Sequence, residues 1–277
     1  MFFSSDEVNQ ILGLVNWNNL NQGKLNFNGV SIDSRSSFSD DLFVAIEGNN
    51  FNGHDFLEEV FNKNIKAVVI SMRYRNLVPE NCAYWAVSDT LVAFHELILL
   101  RRRKLNIPVI AITGSVGKTT TKEMMREVLK GYGKIKVSEK NFNNEIGVGL
   151  TINTCNEEDK VLVLEMGMRG KGQIEVLSRC SEPTLAVITN IGTSHIGLLG
   201  SKNEISKAKL EIAKYLNPHG TLFIPYECNY LESNLKDFWS GKVIRVKLLT
   251  NAQPNLMTNM PKGIIIGIYD NSSNSIK

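Results

Sequence analysis

The chain has 277 residues, and its 31 Lys and Arg against 28 Asp and Glu leave a formal net charge of +3, too mild to argue for a nucleic-acid or membrane-surface partner. That length suits one large domain or two ordinary ones, each able to bury its own core, and two are expected. Cys82, Cys155, Cys180 and Cys228 form no Cys-x-x-Cys pair, and no apolar run approaches the ~18 residues of a membrane helix, so a monomeric cytoplasmic protein with reduced thiols, no zinc site, no disulfide framework and no membrane insertion is expected.

Residues 1–105 read as a small mixed domain. Strand-like runs occur at Gly29–Ile32, Leu42–Ile46, Ala67–Ile70 and Ala83–Val87, with helical patterns between some of them. In Asp55–Phe61 the residues Phe56, Leu57, Val60 and Phe61 share one helical face, and Thr90–Leu100 is a second amphipathic segment. The basic run Arg101-Arg102-Arg103-Lys104 reads as a solvated helix end at a domain junction. Two polar clusters interrupt the strands: Asp33-Ser34-Arg35, and the stretch from Gly48 through His54 to Asp55. By composition alone both are turn chemistry.

From residue 106 onward strands and helices alternate as in a parallel sheet with crossover helices. The fold class is therefore α/β, a mixed N-terminal domain over 1–105 followed by a phosphate-loop, parallel-sheet domain over 106–277. Val109, Ile110 and Ile112 make a short buried strand, and a helical pattern starts at Thr119. Between them the loop with Gly114 and Gly117 reads as a phosphate cradle of the Gly-x-x-x-x-Gly-Lys-Ser/Thr kind, with Ala111 taken for the first glycine. Small residues let backbone N–H groups close round phosphate oxygens at a positive helix N-terminus, Lys118 reaches the terminal phosphates, and the Thr119 hydroxyl can sit on Mg²⁺. ATP and Mg²⁺ are the expected ligands.

The helix after this loop closes at Gly131 and Gly133. Lys134–Val137 is the next strand and Asn141–Gly147 a loop, in which Asn144 either contacts a ligand or caps a turn. Val161–Leu164 reads as a buried strand ending at Glu165, Gly172 opens a helix, Thr184–Thr189 is another buried strand, and the loop from Asn190 to Gly200 carries His195. Lys118, Glu165 and His195 would all emerge at the carboxyl edge of one sheet, where ligands bind in such folds. Glu165 is placed to meet the nucleotide's Mg²⁺ or else to serve as a helix N-terminal acid, and His195 is either a ligand or a satisfied loop histidine. The following helix starts with a capping box at Ser201 and Glu204 and runs to about Leu216, with Ile205, Ile212, Ala213 and Leu216 on its apolar side. Lys209 lies in the middle of that side. It either snorkels outward or stays buried, where a neutral amine becomes accessible to modification. Lys242–Val246 and Gly263–Tyr269 read as further strands.

Taken together these motifs resemble the Mur ligases, ATP-dependent amino-acid-adding enzymes of peptidoglycan synthesis, and within them the MurF type. The likeness runs from about Ile32 to about Pro225. Asp33-Ser34-Arg35, Leu42–Gly48 and Gly53–Phe56 look like the family's UDP-sugar-binding domain, and Thr113–Thr120 looks like its ATP loop. Asn141–Gly147, Leu164–Gly167 with Gly172–Ile174, and Asn190–His195 with Gly200 and Ser201 favour the MurF type.

The resemblance implies UDP-precursor contacts at Asp33, Ser34, Arg35, Gly48, His54 and Asp55. It implies ATP contacts at Thr113, Gly114, Ser115, Val116, Gly117, Lys118, Thr119, Thr120 and Asn144, and Mg²⁺ contacts at Thr119 and Glu165. His195 would bind a second Mg²⁺, and Lys209 would be carbamylated to help bind metal, so that Lys118, His195 and Lys209 carry the catalysis. The implied reaction joins D-alanyl-D-alanine to UDP-N-acetylmuramoyl-tripeptide through an acyl phosphate. Gly149 stands where the family usually has Pro, and Ser39-Asp40 where it often has Pro-Gly. Family members carry a third, C-terminal domain that closes over ATP, and this chain is expected to stop before it and before the central domain is complete. The alternative reading is a truncated or divergent homologue that binds UDP-precursor or ATP without ligating.

Overall fold

The structure is a computed structural model that describes residues 3–14, 16–17, 23–48, 51–139, 141–248, 266–270 and 275–276. The chain divides into two compact units, Met1–Asn106 with Ile152–Asn156, and Ile107–Thr151 with Glu157–Lys277.

The first unit contains β1 (Phe3–Ser4), α1 (Ser5–Leu12), β2 (Asn16–Trp17), β3 (Asn26–Phe27), β4 (Gly29–Ser31), β5 (Asp41–Val44), α2 (Leu57–Asn62), β6 (Ala67–Ser71), β7 (Ala83–Val87) and α3 (Thr90–Lys104). β1 pairs with β3, and the rest form a sheet in the order β2-β7-β6-β5-β4, parallel except between β2 and β7. Alternate strand residues face opposite sides of a sheet. Phe43, Val68 and Ile70 accordingly pack with Leu57 and Val60 of α2, joined by Tyr84. Trp85, one residue on from Tyr84, faces the other way, where its ring meets Phe27 at 6.1 Å and its Nε1–H donates to Asn9 Oδ1 at 3.0 Å.

Two expectations fail in this unit. Phe56 does not join the buried face of α2; it closes a 3-10 turn, Gly53–Phe56, and lies exposed with its ring stacked on Phe51 at 5.1 Å. The basic run is not a solvated end. α3 continues through it to Lys104, and Arg101 and Arg102 are buried, donating to the carbonyls of Cys155 at 2.6 Å and Leu105 at 2.9 Å. Buried guanidinium groups need such acceptors, and the Cys155 carbonyl lies too far along the chain for composition to reveal it.

The second unit contains β8 (Val109–Thr113), α4 (Lys118–Leu129), β9 (Lys134–Val137), α5 (Glu145–Asn153, whose last two residues belong to the first unit), β10 (Asp159–Glu165), α6 (Gln173–Ser181), β11 (Leu185–Ile188), α7 (Ile196–Leu199), α8 (Lys202–Leu210), β12 (Thr221–Pro225), α9 (Asn229–Asn234), β13 (Lys242–Leu248), β14 (Ile266–Asp270) and β15 (Ser275–Ile276). The sheet order is β15-β14-β13-β12-β11-β8-β10-β9, parallel from β9 to β13 and antiparallel beyond. β8 is buried along its whole length, as a parallel strand covered on both faces must be. Ile110, Ile112, Val161 and Val163 pack with Met125 and Leu129 of α4 on one of those faces. In register, Glu165 stands beside Ile112 and Ile188 beside Thr113, so three strands end together.

The helix expected to reach Leu216 is α-helical only to Leu210 and then tightens into a 3-10 turn, Glu211–Ala213. The tightening coincides with a buried Glu211 carboxylate that accepts the Gly172 and Glu175 N–H groups at 2.8 and 3.2 Å, satisfying donors at the start of α6. Ser201 caps α8 as expected, and Ile205, Ile212, Ala213 and Leu216 are all buried. Of the expected strand at Gly263–Tyr269, the part before Ile266 lies outside the described residues.

β4 is an edge strand whose Val30 is closed off by a side chain. Asn153 accepts the Val30 N–H at 3.0 Å and donates to the Val30 carbonyl at 2.8 Å, standing in for a neighbouring strand. Asn153→Ala removes both bonds and is expected to cost about 1–3 kcal/mol, read as a lowered midpoint in urea unfolding. An unshifted midpoint would show that solvent replaces the amide without loss.

Candidate functional site

The carboxyl ends of β8, β10 and β11 carry the site. After Thr113 the chain turns through Gly114, with φ of 154°, and Gly117, with φ of 82°, before α4 begins. A Cβ on Gly114 would lie 1.8 Å from Thr189 Oγ1, so only glycine fits there. Counted back from Gly117, the Gly-x-x-x-x-Gly spacing begins at Ile112 and not at Ala111. That position is a buried strand residue, and the loop's freedom comes from Gly114 and Gly117 instead.

The segment after β11 braces this loop. Asn190 Oδ1 accepts the N–H groups of Ser115 and Val116, both at 3.1 Å, and Ser115 Oγ accepts the Gly192 N–H at 2.8 Å. Thr189 Oγ1 donates to the Val116 carbonyl at 2.6 Å and Ser194 Oγ to the Ser115 carbonyl at 3.1 Å. Lys118 folds back onto the loop, its Nζ donating to the Gly114 carbonyl at 2.9 Å. Thr113 Oγ1 donates to the Met166 carbonyl at 2.9 Å and ties the ends of β8 and β10 together.

Glu165 is buried at the end of β10, and a buried carboxylate must be paired or hydrogen-bonded. Thr119 Oγ1 donates to its Oε2 at 2.9 Å, and Asn143 Nδ2 to its Oε1 at 3.0 Å. Asn143 is the residue that sequence reasoning missed here. Its neighbour Asn144 instead accepts the Gly147 N–H at 2.8 Å through Oδ1 and caps α5. Thr120 is exposed next to Thr119.

Lys118, Lys209, His195 and Arg169 form a group of interacting cationic side chains. Lys209 is 2% exposed, and burial together with the Lys118 charge lowers its amine from 10.5 to about 8. Among the described residues no carboxylate pairs with it. His195 sits in the left-handed region at φ 66° and opens α7, and its imidazole is held below the ordinary range by burial and then by Lys209, Lys118 and Arg169. Their combined positive charge suits an anion. For Mg²⁺ the adjoining Thr119 hydroxyl and Glu165 carboxylate are a fitting pair of hard oxygen donors, since Mg²⁺ takes one or two carboxylates and completes its shell with phosphate and water. No cluster of three or more His, Cys, Asp or Glu that could hold a metal ion occurs among the described residues.

In the first unit, the Arg35 guanidinium donates to both carboxylate oxygens of Asp33, at 2.9 and 2.7 Å, and holds that carboxyl below the usual range. Ser34 Oγ donates to Glu59 at 2.8 Å, and Lys63 Nζ donates to the carbonyls of Ser34 and Arg35 at 2.5 and 2.8 Å, so α2 pins this loop while Arg35 stays exposed. Gly48 and Asp55 are exposed. His54 is different: it is buried, stacks on Tyr74 at 3.9 Å, and has both nitrogens engaged. The Ser71 N–H donates to Nε2 at 2.9 Å, which puts the proton on Nδ1 and the second bond on Asn52 Oδ1 at 2.7 Å. Both His54 nitrogens thus brace the Asn52–Asp55 turn and the end of β6.

Residues 112–262 match the family model described as the Mur ligase middle domain, and residues 26–114 match the Mur ligase family, catalytic domain. The chain belongs to the Mur ligase family. This Mur ligase chain is 40% identical over 220 residues to a UDP-N-acetylmuramoyl-tripeptide–D-alanyl-D-alanine ligase of Synechocystis, covering 79% of this chain and 48% of the relative. It is 43% identical over 194 residues to the Bacillus subtilis ligase of that name, covering 70% and 42%. A crystal structure of MurF from Acinetobacter baumannii aligns with a TM-score of 0.79 at 26% identity, covering 98% of this chain and 59% of that one. The chain spans about half the length of the curated relatives it matches. No helix among the described residues is long and apolar enough to cross a membrane.

Gly114→Ala forces Cβ into Thr189 Oγ1 and should both destabilise the second unit by about 1–3 kcal/mol and weaken nucleotide binding more than tenfold. Thermal unfolding and calorimetric ATP titration check this, and wild-type behaviour in both would mean the two loops are not held as described.

Proposed function

We propose that the protein containing this chain is an ATP-dependent ligase that joins D-alanyl-D-alanine to UDP-N-acetylmuramoyl-tripeptide in the cytoplasm. Residues 1–105 serve as the UDP-precursor domain and residues 106–277 as the ATP-binding domain, the chain acting as a monomer without a nucleic-acid partner. The observation that carries this reading is the Thr119–Glu165 contact at the mouth of the phosphate loop, and the charge effects among Lys118, His195 and Lys209 support it. The names of the curated relatives support the choice of substrates.

The chain's own residues supply position and charge. Loop N–H groups and Lys118 receive the terminal phosphates, and Thr120 borders the same helix start. Thr119 and Glu165 would hold Mg²⁺, which when bound offsets negative charge on the phosphoryl group. Asn143 keeps the Glu165 carboxylate aimed at the loop. A tripeptide carboxylate oxygen attacks the γ-phosphorus and ADP leaves; the dipeptide amine then attacks the acyl carbon, loses a proton, and phosphate leaves. Half-buried Asp33, buried Ser34 and exposed Arg35, Gly48 and Asp55 are assigned to the UDP-precursor, with His54 supporting their loops. The buried Lys209 amine, already lowered to about 8, suits reaction with CO₂ to give a carbamate and a proton, which would furnish an acidic group beside His195.

Lys118→Ala in the full-length protein should reduce substrate-dependent ADP release at least ~100-fold. Undiminished release would remove the loop from the reaction, and tight ATP binding without any ADP release by the wild type would favour a non-catalytic homologue. With ¹³C-bicarbonate, a lysine carbamate resonance is expected in the wild type and not in Lys209→Ala. Identical spectra would leave Lys209 unmodified.

A further inference from the structure

We propose that Lys122 is the resident counter-cation of Glu165, a positioning residue that holds the carboxylate in place and makes capture of a divalent cation conditional on bound phosphate. The inference deepens the proposed function and rests on it for the metal role of Glu165.

Thr119 and Lys122 lie three residues apart on α4, which places both side chains on the face turned to β10. Both reach the same oxygen: Thr119 Oγ1 is 2.9 Å and Lys122 Nζ 3.7 Å from Glu165 Oε2. Lys122 is 1% exposed, so its charge is held by protein groups. Its Nζ donates to the Ser138 carbonyl at 2.9 Å and lies 3.3 Å from Glu123 Oε1. Ser138 closes the circuit, its Oγ accepting the Glu165 N–H at 3.2 Å. α4, the end of β9 and the end of β10 are thus joined around one buried positive charge.

Lysine is rarely buried to this degree unless it is paired, and a helix that needed only apolar packing here would not select it. Without Lys122, Glu165 would keep two neutral donors, Thr119 and Asn143, and no buried positive charge. With it, a cation approaching Oε2 meets a like charge within a few ångströms. A polyphosphate brings enough negative charge to offset that repulsion. Metal alone should therefore bind weakly and metal with nucleotide well.

The test measures Mn²⁺ binding to the nucleotide-free chain by titration calorimetry, together with urea unfolding. Lys122→Met should bind Mn²⁺ on the order of tenfold more tightly than the wild type and be less stable, because Glu165 has lost its counter-charge. Lys122→Met combined with Glu165→Gln should unfold no earlier than Glu165→Gln alone, since the charge left unpaired by Glu165→Gln is then removed as well. This double variant carries the test if Lys122→Met does not fold. A double variant as unstable as Lys122→Met would show that Lys122 acts only through Ser138 and overturn the proposal. Loss of Mn²⁺ binding in Glu165→Gln with no gain in Lys122→Met would overturn it while leaving the metal role of Glu165 intact. Wild-type Mn²⁺ affinity in Glu165→Gln would overturn both.

Discussion

The hydrogen bond from Thr119 to Glu165 is the contact on which the second unit's chemistry depends. It joins the first turn of the helix after the phosphate loop to the last residue of the adjacent strand, and it exists because β10 and β8 run parallel in a register that sets Glu165 beside Ile112. A slip of one residue would turn Glu165 to the other face of the sheet and bring an apolar neighbour to the loop. The register is in turn held by the continuous apolar strands on either side of β8, so the hydrophobic core places the carboxylate. The cost of burying that carboxylate is met from two segments, by hydrogen bonds from Thr119 on α4 and Asn143 before α5 and by the Lys122 charge, also on α4, at 3.7 Å.

The second constraint is an excess of positive charge. Burial first, and then the neighbouring charges, lower Lys209 and His195, the charges being Lys118 for Lys209 and Lys209, Lys118 and Arg169 for His195, and among the described residues no carboxylate pairs with Lys209. Such an arrangement is unfavourable alone and becomes favourable when anions arrive. Phosphate groups, a substrate carboxylate and a carbamate on Lys209 are the anions that the proposed reaction provides.

Much of this was legible in the sequence because the signals are local. Gly114, Gly117, Lys118 and Thr119 lie within six residues, and the strands ending at Thr113, Glu165 and Ile188 are short apolar runs between polar loops. Periodicity placed Lys209 on the buried side of its helix without any contact being known. The less legible residues have partners distant in the chain. Lys122 reads as an ordinary helical lysine until the Ser138 carbonyl and Glu165 are seen around it. Asn143 and Asn144 are indistinguishable by type, and only the start of α5 at Glu145 makes one a cap and frees the other for Glu165. By composition His54 belonged to a polar turn, and nothing in the sequence shows that Ser71 and Asn52 take both its nitrogens. Arg101 and Arg102 looked solvated because charge is the only thing composition reports about them; the Cys155 and Leu105 carbonyls that bury them come from folding.

The central claim is that the Thr119–Glu165 pair forms the metal side of a nucleotide site opened by the phosphate loop. The most direct measurement is a crystal structure of the chain grown with a non-hydrolysable ATP analogue and Mn²⁺, with data collected at the manganese edge. The account predicts an anomalous peak within coordinating reach of Thr119 Oγ1, directly or through water to Glu165, with the analogue's terminal phosphates against Lys118 and the loop N–H groups. A nucleotide bound elsewhere, or a manganese peak remote from Glu165 while the loop holds phosphate, would contradict it.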